Sequence, residues 1–265
     1  MKKLYLGMNY FFVAFVTVCC FISCKPAKNN LTLIQAKNIE IAADNQGKDD
    51  EIEKFILPYQ KHVRKEIATL LTYNPEALVK ETSQLNAPIG NLLADASFEI
   101  INPIYSQKTG KNIDFVLLNW GGIRSDLPKG DVTVGTVYNL MPFENKLVVL
   151  EMKGEKLYEM VQYLTKTKTA HPLSNHVKLH ITPKGDLVLF TINGKSVDPN
   201  ATYVVATSDY LMHGGDGMIF FHDSISVYET DYLIRNILMD YFKKIDSIKA
   251  ERDDRFIFVE ESNLN

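Results

Sequence analysis

The sequence predicts a mixed α+β fold in which helices and strands are interspersed without a strict strand–helix–strand repeat. Three observations carry this. Ile52, Phe55, Ile56, Tyr59, Val63, Ile67 and Leu70 recur at the spacing of one amphipathic helix face. IDFVLL, residues 113–118, is a short and nearly all-apolar run, the pattern of a strand buried on both faces. Downstream, VKLHITP, DLVLFTING and TYVVATS are β-rich runs separated by Pro-Lys-Gly-Asp and Asn-Gly turn signals. With 46% hydrophobic and 23% charged residues over 265 positions, the composition fits an ordinary globular chain.

Taken in order, the first residues read as a secretory leader. Lys2 and Lys3 precede an almost wholly apolar stretch from Leu4 to Ile22. It ends in Phe21-Ile22-Ser23-Cys24, an apolar–apolar–small–Cys pattern that resembles a bacterial lipobox. The expectation is a lipoprotein signal peptide over residues 1–23, lipid on Cys24, a polar tether over 24–30, and one folded domain over 31–261. The competing reading is a transmembrane anchor, because the apolar run is nearly long enough to span a bilayer. A Cys at the cleavage point, followed at once by the polar KPAKNN, favours the lipoprotein. Lys25, where an inner-membrane retention aspartate would stand, points to the outer membrane facing the periplasm. All three cysteines (Cys19, Cys20 and Cys24) lie in or at the leader, so the rest of the chain supports no disulfide and no Cys-based metal site.

Residues 31–43 look extended. Asp49 and Asp50 suit the N-terminus of the helix that follows, and Pro58 should kink it. GNLLADASFEIINPIY starts a second helix near Gly90. KLVVLEMKG reads as a strand, EKLYEMVQYLTK as a helix, DYLIRNILMDYFKKI as a late helix and RFIFVE as a final strand. The net charge of −3 offers no broad basic surface and argues against a nucleic-acid polymer as partner. An anionic ligand must be held by a few local cations.

The polar landmarks fall at element ends, where binding groups usually sit. They are NWGGIRSDLPKG, MPFEN at 141–145 and SDYLMHGGDG at 208–217. Taken singly, each has a plain reading. Gly-Gly-Asp-Gly makes a tight turn, Phe143 and Tyr210 are core residues, and Arg124 is a surface charge paired with something like Asp126. Phosphate-loop and GxSxG signatures are absent, and none of the six histidines sits in an HExxH or Asp-x-His arrangement, so the sequence offers no metal set of its own.

Together, GNLLADA (90–96), NWGGIR (119–124), MPFEN and SDYLMHGGDG resemble, in order and spacing, the C-terminal domain of the 5′-nucleotidase family, which includes UDP-sugar hydrolases and cyclic-nucleotide phosphodiesterases. The resemblance covers roughly residues 31–250. It implies a nucleoside site in which Phe143 and Tyr210 sandwich the base. Asn119 and Asn145 meet the base side, Arg124 lies near ribose and phosphate, and Asp216 accepts from ribose hydroxyls. Gly214 and Gly215 let the loop approach the ligand closely. Three departures stand out. Trp120 replaces a family glycine and is expected to narrow or shield the pocket. Tyr210 replaces the usual Phe, adding a hydroxyl. ETSQLNAPI lacks an arginine often found before the second helix, which implies a weaker grip on phosphate.

In the family, catalysis belongs to a separate metallophosphoesterase domain whose two metals activate water. The resemblance therefore implies the nucleotide-binding, specificity half of a 5′-nucleotidase. Divalent metals are expected only in a partner metallophosphoesterase, no catalytic residue in this chain, and no activity from the chain alone. The alternatives are a lipoprotein that holds nucleosides without chemistry, or an interaction scaffold.

Overall fold

Alternation along two strands decides where the core of this protein sits. The computed structural model describes residues 13, 15, 16, 34–38, 49–81 and 83–260. The expected leader, Cys24 and the expected tether lie outside these residues, apart from positions 13, 15 and 16. Chain contacts divide into two units, residues 1–53 and 54–265. Of the first unit, residues 34–38 are exposed and without regular structure, and Asp49 caps a helix by accepting from the amides of Glu51 and Ile52. That helix, α1 (Asp50–Ile67), runs through Pro58 and buries no residue.

The elements that follow are β1 (Leu70–Asn74), α2 (Pro88–Thr109), β2 (Phe115–Val116), β3 (Gly130–Thr133), α3 (Val134–Leu140), β4 (Lys146–Lys153), α4 (Gly154–Thr167), β5 (Val177–Ile181), β6 (Leu187–Ile192), β7 (Lys195–Ser196), β8 (Thr202–Ser208), α5 (Asp209–Met212), β9 (Ser226–Leu233), α6 (Ile234–Phe242) and β10 (Phe256–Phe258). The expected mixed α+β class is what forms. The central sheet has the order β2-β8-β4-β9, with β2 parallel to β8 and the other pairs antiparallel. A second sheet has the order β10-β5-β6-β7, and β1 pairs with β3.

Successive side chains of the central strands enter opposite cores, as the two-residue period of a strand requires. Leu147, Val149, Val204 and Ala206 join α2 and α6 in one cluster. Val148, Leu150, Met152 and Val205 join α4 and the second sheet in the other. A strand stretch with a core against each face has no water-facing side, and each full burial of a Val or Leu contributes about 1.5–3 kcal/mol.

Local chemistry sets the helix ends. Pro88 opens α2, where its missing N–H costs nothing, and Gly110 closes it at φ 74°. Gly154 begins α4 so close to the next turn that a Cβ there would stand 2.0 Å from the Asp198 carbonyl oxygen. Arg255, 4% exposed, joins Asp95 of α2 to Asp253 and so fixes β10 at the sheet edge.

The late helix differs from expectation. Residues of DYL belong to the end of β9, and helix α6 starts only at Ile234. Among the described residues no helix is long and apolar enough to cross a membrane.

Candidate functional site

The strand register explains why three distant landmarks meet. Val116 of β2 stands beside Ala206 of β8, and Ser208 at the end of β8 faces Leu147 near the start of β4. The chain therefore leaves β2 and β8, and enters β4, at the same end of the central sheet. Loops 119–124, 141–145 and 209–217 all rise from that end.

The first loop turns at once. Asn119 heads a single 3-10 turn, Trp120–Gly122, in which Gly122 N–H donates to the Asn119 carbonyl at 3.1 Å. A Cβ on Gly122 would stand 3.1 Å from Asn119 Oδ1 and 3.3 Å from Met141 Cε, so glycine lets the turn close against the second loop. The Arg124 amide then donates to the Leu140 carbonyl at 2.9 Å, joining the first loop to α3.

Trp120 corrects an expectation. Its side chain is buried in the α2 core, 3.6 Å from where a Gly90 Cβ would stand, with the Lys80 ammonium over its ring at 5.5 Å. It does not line the cleft. Behind it, the Trp120 amide donates to His171 Nδ1 at 3.2 Å. Burial holds the His171 pKa down at about 4, so this ring is a neutral acceptor at neutral pH.

The second loop leaves α3, which a Thr133–Thr136 capping box begins. Arg235 of α6 holds it from below: its Nη1 donates to the carbonyls of Pro142 and Phe143 at 3.1 and 3.2 Å. The guanidinium is 5% exposed and lies 4.2 Å from the Tyr138 ring centre. Its Nε is the buried polar side-chain atom without a partner among the described residues. Arg235 escaped the sequence reading, although an arginine inside the apolar run LIRNIL is a visible oddity.

The third loop contains α5, capped by Ser208 Oγ accepting from Leu211 N–H, and then a turn of unusual backbone. Gly214 and Gly217 have φ of 82° and 77°, and Asp216 adopts 52°, a conformation uncommon for a non-glycine residue. A Cβ on Gly215 would enter the Tyr210 ring at 2.4 Å, so this glycine is the surface on which the ring lies. The Tyr210 hydroxyl donates to Asp216 Oδ1 at 2.8 Å and accepts from the Asp216 amide at 3.2 Å. From α4, the Tyr163 hydroxyl donates to the Asp216 carbonyl at 2.7 Å, a contact with no sequence signal. The Asp216 carboxylate, by accepting a hydrogen bond from the neutral phenol, raises the Tyr210 pKa; burial chiefly raises that of Tyr163.

Asn119, Arg124, Phe143, Asn145, Tyr210 and Asp216, with Gly121, line one cleft of about 290 Å³. Gly214 and Gly215 border an adjoining hollow that shares Asn145 and Tyr210. Phe143 and Tyr210 are 40% and 43% exposed, so neither is a core residue. The Arg124 guanidinium lies 5.6 Å from the Phe143 ring centre and donates to the Gly121 carbonyl at 3.4 Å. Asp126 is not its partner, because that carboxylate accepts from the Lys80 amide at 2.6 Å. Among the described residues no carboxylate forms an ion pair with Arg124, and the amides of Asn119 and Asn145 make no side-chain hydrogen bond. The cleft thus offers two exposed rings, a free cation, two free amides and a fixed carboxylate. No group of three or more His, Cys, Asp or Glu among the described residues is arranged to hold a metal ion.

Comparison with known proteins points the same way. A family model described as the 5′-nucleotidase C-terminal domain matches residues 66–223. Protein UshA of Yersinia enterocolitica is 30% identical over 142 residues, covering 52% of this chain and 26% of that protein. A 5′-nucleotidase of Vibrio cholerae is 22% identical over 226 residues, 82% of this chain and 40% of its own. The crystal structure of a 5′-nucleotidase precursor from Thermus thermophilus superposes with a TM-score of 0.65 at 23% identity, over 81% of this chain and 44% of that one. This chain therefore spans between about a quarter and under half of the length of these relatives.

Proposed function

The chain belongs to the 5′-nucleotidase C-terminal domain family, and on that premise we propose that it is the nucleotide-binding, specificity half of a 5′-nucleotidase. A separately encoded metallophosphoesterase supplies two divalent metals and the attacking water. The pair hydrolyses a nucleoside 5′-monophosphate: water adds to phosphorus, the bond to the 5′ oxygen breaks, and nucleoside and phosphate leave.

One observation carries this reading: the six polar and aromatic groups that a nucleotide needs line a single open cleft. Phe143 and Tyr210 offer π-faces to a base, each stack being worth about 1–3 kcal/mol for any base. The amides of Asn119 and Asn145 suit a base edge, Asp216 suits sugar hydroxyls, and the planar donors of Arg124 suit phosphate. The described residues do not fit a two-metal site, so no hydrolytic step is assigned to them. Positioning is their contribution.

The test has two stages. Calorimetric titration with nucleoside monophosphates should show binding by the purified chain. Adding a metallophosphoesterase should then release phosphate faster than that enzyme does alone. A chain that binds no nucleotide and alters no partner's rate ends the proposal. Binding without any rate effect selects the second reading, a lipoprotein that holds nucleosides without chemistry.

The proposal extends to localisation. Lipid on Cys24 ties the chain to the cell envelope, at the outer membrane facing the periplasm. Labelled palmitate should enter the wild-type protein and not Cys24→Ala.

A further inference from the structure

Asp216 is held by three bonds that leave little of it free. Its carbonyl accepts from Tyr163, its amide donates to Tyr210, and its Oδ1 accepts from the same Tyr210 hydroxyl. The φ of 52° is the backbone cost of that arrangement, in a turn where Gly214 and Gly217 also have positive φ. The other oxygen, Oδ2, faces the first loop, 4.0 Å from where a Gly121 Cβ would stand.

A carboxylate with both oxygens open grips a vicinal diol with one oxygen per hydroxyl. Here a phenol already donates to one of the two at 2.8 Å, an ordinary hydrogen-bond length, so a sugar hydroxyl must share that oxygen with it. Only one sugar hydroxyl finds an uncontested acceptor.

Resting on the nucleotide reading above, we infer that the Tyr210 hydroxyl sets the sugar specificity of this cleft: by occupying Asp216 Oδ1 it removes the advantage of a second ribose hydroxyl, so that 2′-deoxyribonucleosides and ribonucleosides are accepted alike. Tyr210 thus has two separable parts. The ring stacks on the base, and the hydroxyl edits what the neighbouring carboxylate can recognise. Tyr163 is a positioning residue that acts on the Asp216 backbone alone.

Calorimetric titration of the full chain with adenosine and 2′-deoxyadenosine monophosphates tests this. For the wild type the two dissociation constants should agree within about threefold. Tyr210→Phe keeps the ring and frees Oδ1, so the ribonucleotide should gain a preference on the order of tenfold, the effect of one added hydrogen bond to a charged group. Tyr163→Phe should weaken both ligands equally and leave their ratio unchanged, which separates a positioning role from a specificity role. A wild type that already prefers ribose by tenfold, or a Tyr210→Phe chain whose ratio does not move, overturns the inference while leaving the nucleotide reading intact. Failure of the wild type to bind either ligand overturns both.

Discussion

Phe55 with Tyr59, and Phe143 with Tyr210, are two exposed aromatic pairs in different company. On α1, Phe55 and Tyr59 are 70% and 64% exposed, with ring centres 5.8 Å apart. No residue of that helix is buried. At the end of the central sheet, Phe143 and Tyr210 are 40% and 43% exposed and come from separate loops. Arg124 stands over one ring, and Asp216 bonds the hydroxyl of the other. Exposure of an aromatic is therefore uninformative by itself. A ring among convergent donors and acceptors describes a small polar ligand, whereas a ring on an apolar helix face offers such a ligand no polar partners.

The largest test of this contrast is binding. Replacing Phe143 and Tyr210 together with Ala should cost about 2–6 kcal/mol of nucleotide affinity, two stacks at roughly 1–3 each. The Phe55→Ala, Tyr59→Ala double variant should bind as the wild type does. Equal losses in both variants, measured by titration calorimetry, would remove the distinction.

Stability should divide the helices in the opposite sense. Helix α4 carries a similar apolar spacing but buries Leu157, Met160, Val161 and Leu164. Leu157→Ala should cost about 2–5 kcal/mol by leaving a cavity. Tyr59→Ala should stay within roughly 0.5 kcal/mol, as surface changes do. Urea unfolding of both variants checks this.

Acid sharpens the contrast further, because the cleft rests on a buried histidine. The folded pKa of His171, about 4, lies below its ordinary value of 6.5. The unfolded chain therefore takes up the proton first. Its stabilising share is complete above pH 6.5 and declines as the pH falls towards 4, by up to about 3 kcal/mol. The stability difference between wild type and His171→Asn should shrink over that window. A difference that stays constant with pH would mean that folding leaves the His171 pKa unshifted.

The smallest expected effect concerns charge. Arg124→Gln should weaken a nucleoside monophosphate by about 1.5–3 kcal/mol and the matching nucleoside much less, since only the former presents an anion to the guanidinium. Equal weakening would move Arg124 away from the phosphate.

Much of this arrangement is legible in the residues alone. A nearly all-apolar run announces β2, KLVVLEMKG reads as the strand β4, Pro88 and Gly110 bracket a helix whose start the sequence places near Gly90, and the three loops quoted from the sequence are those that meet. The misses have physical causes. Strand β9 is an edge strand whose side chains are mostly exposed or half-buried, so its pairing with β4 rests on backbone bonds that leave no hydrophobic pattern. The same holds for β1 and β3, each of five residues or fewer. Trp120 is expected in the cleft because its neighbours are there, but a 3-10 turn rotates successive residues, and this one points to the core. Arg235 and Tyr163 act on backbone carbonyls from remote helices, and a bond between a side chain and a distant carbonyl has no sequence signature.

Because all three loops spring from one end of a sheet that is covered on both faces, the platform beneath them is indifferent to what they carry. Tyr210, Gly215 and Asp216 contact one another within seven residues, with Leu211 rooted in the core below and Tyr163 bonding the Asp216 carbonyl from α4. Exchanging that segment alone would retune one wall while its neighbours keep their geometry, so this architecture lends itself to change one rim at a time.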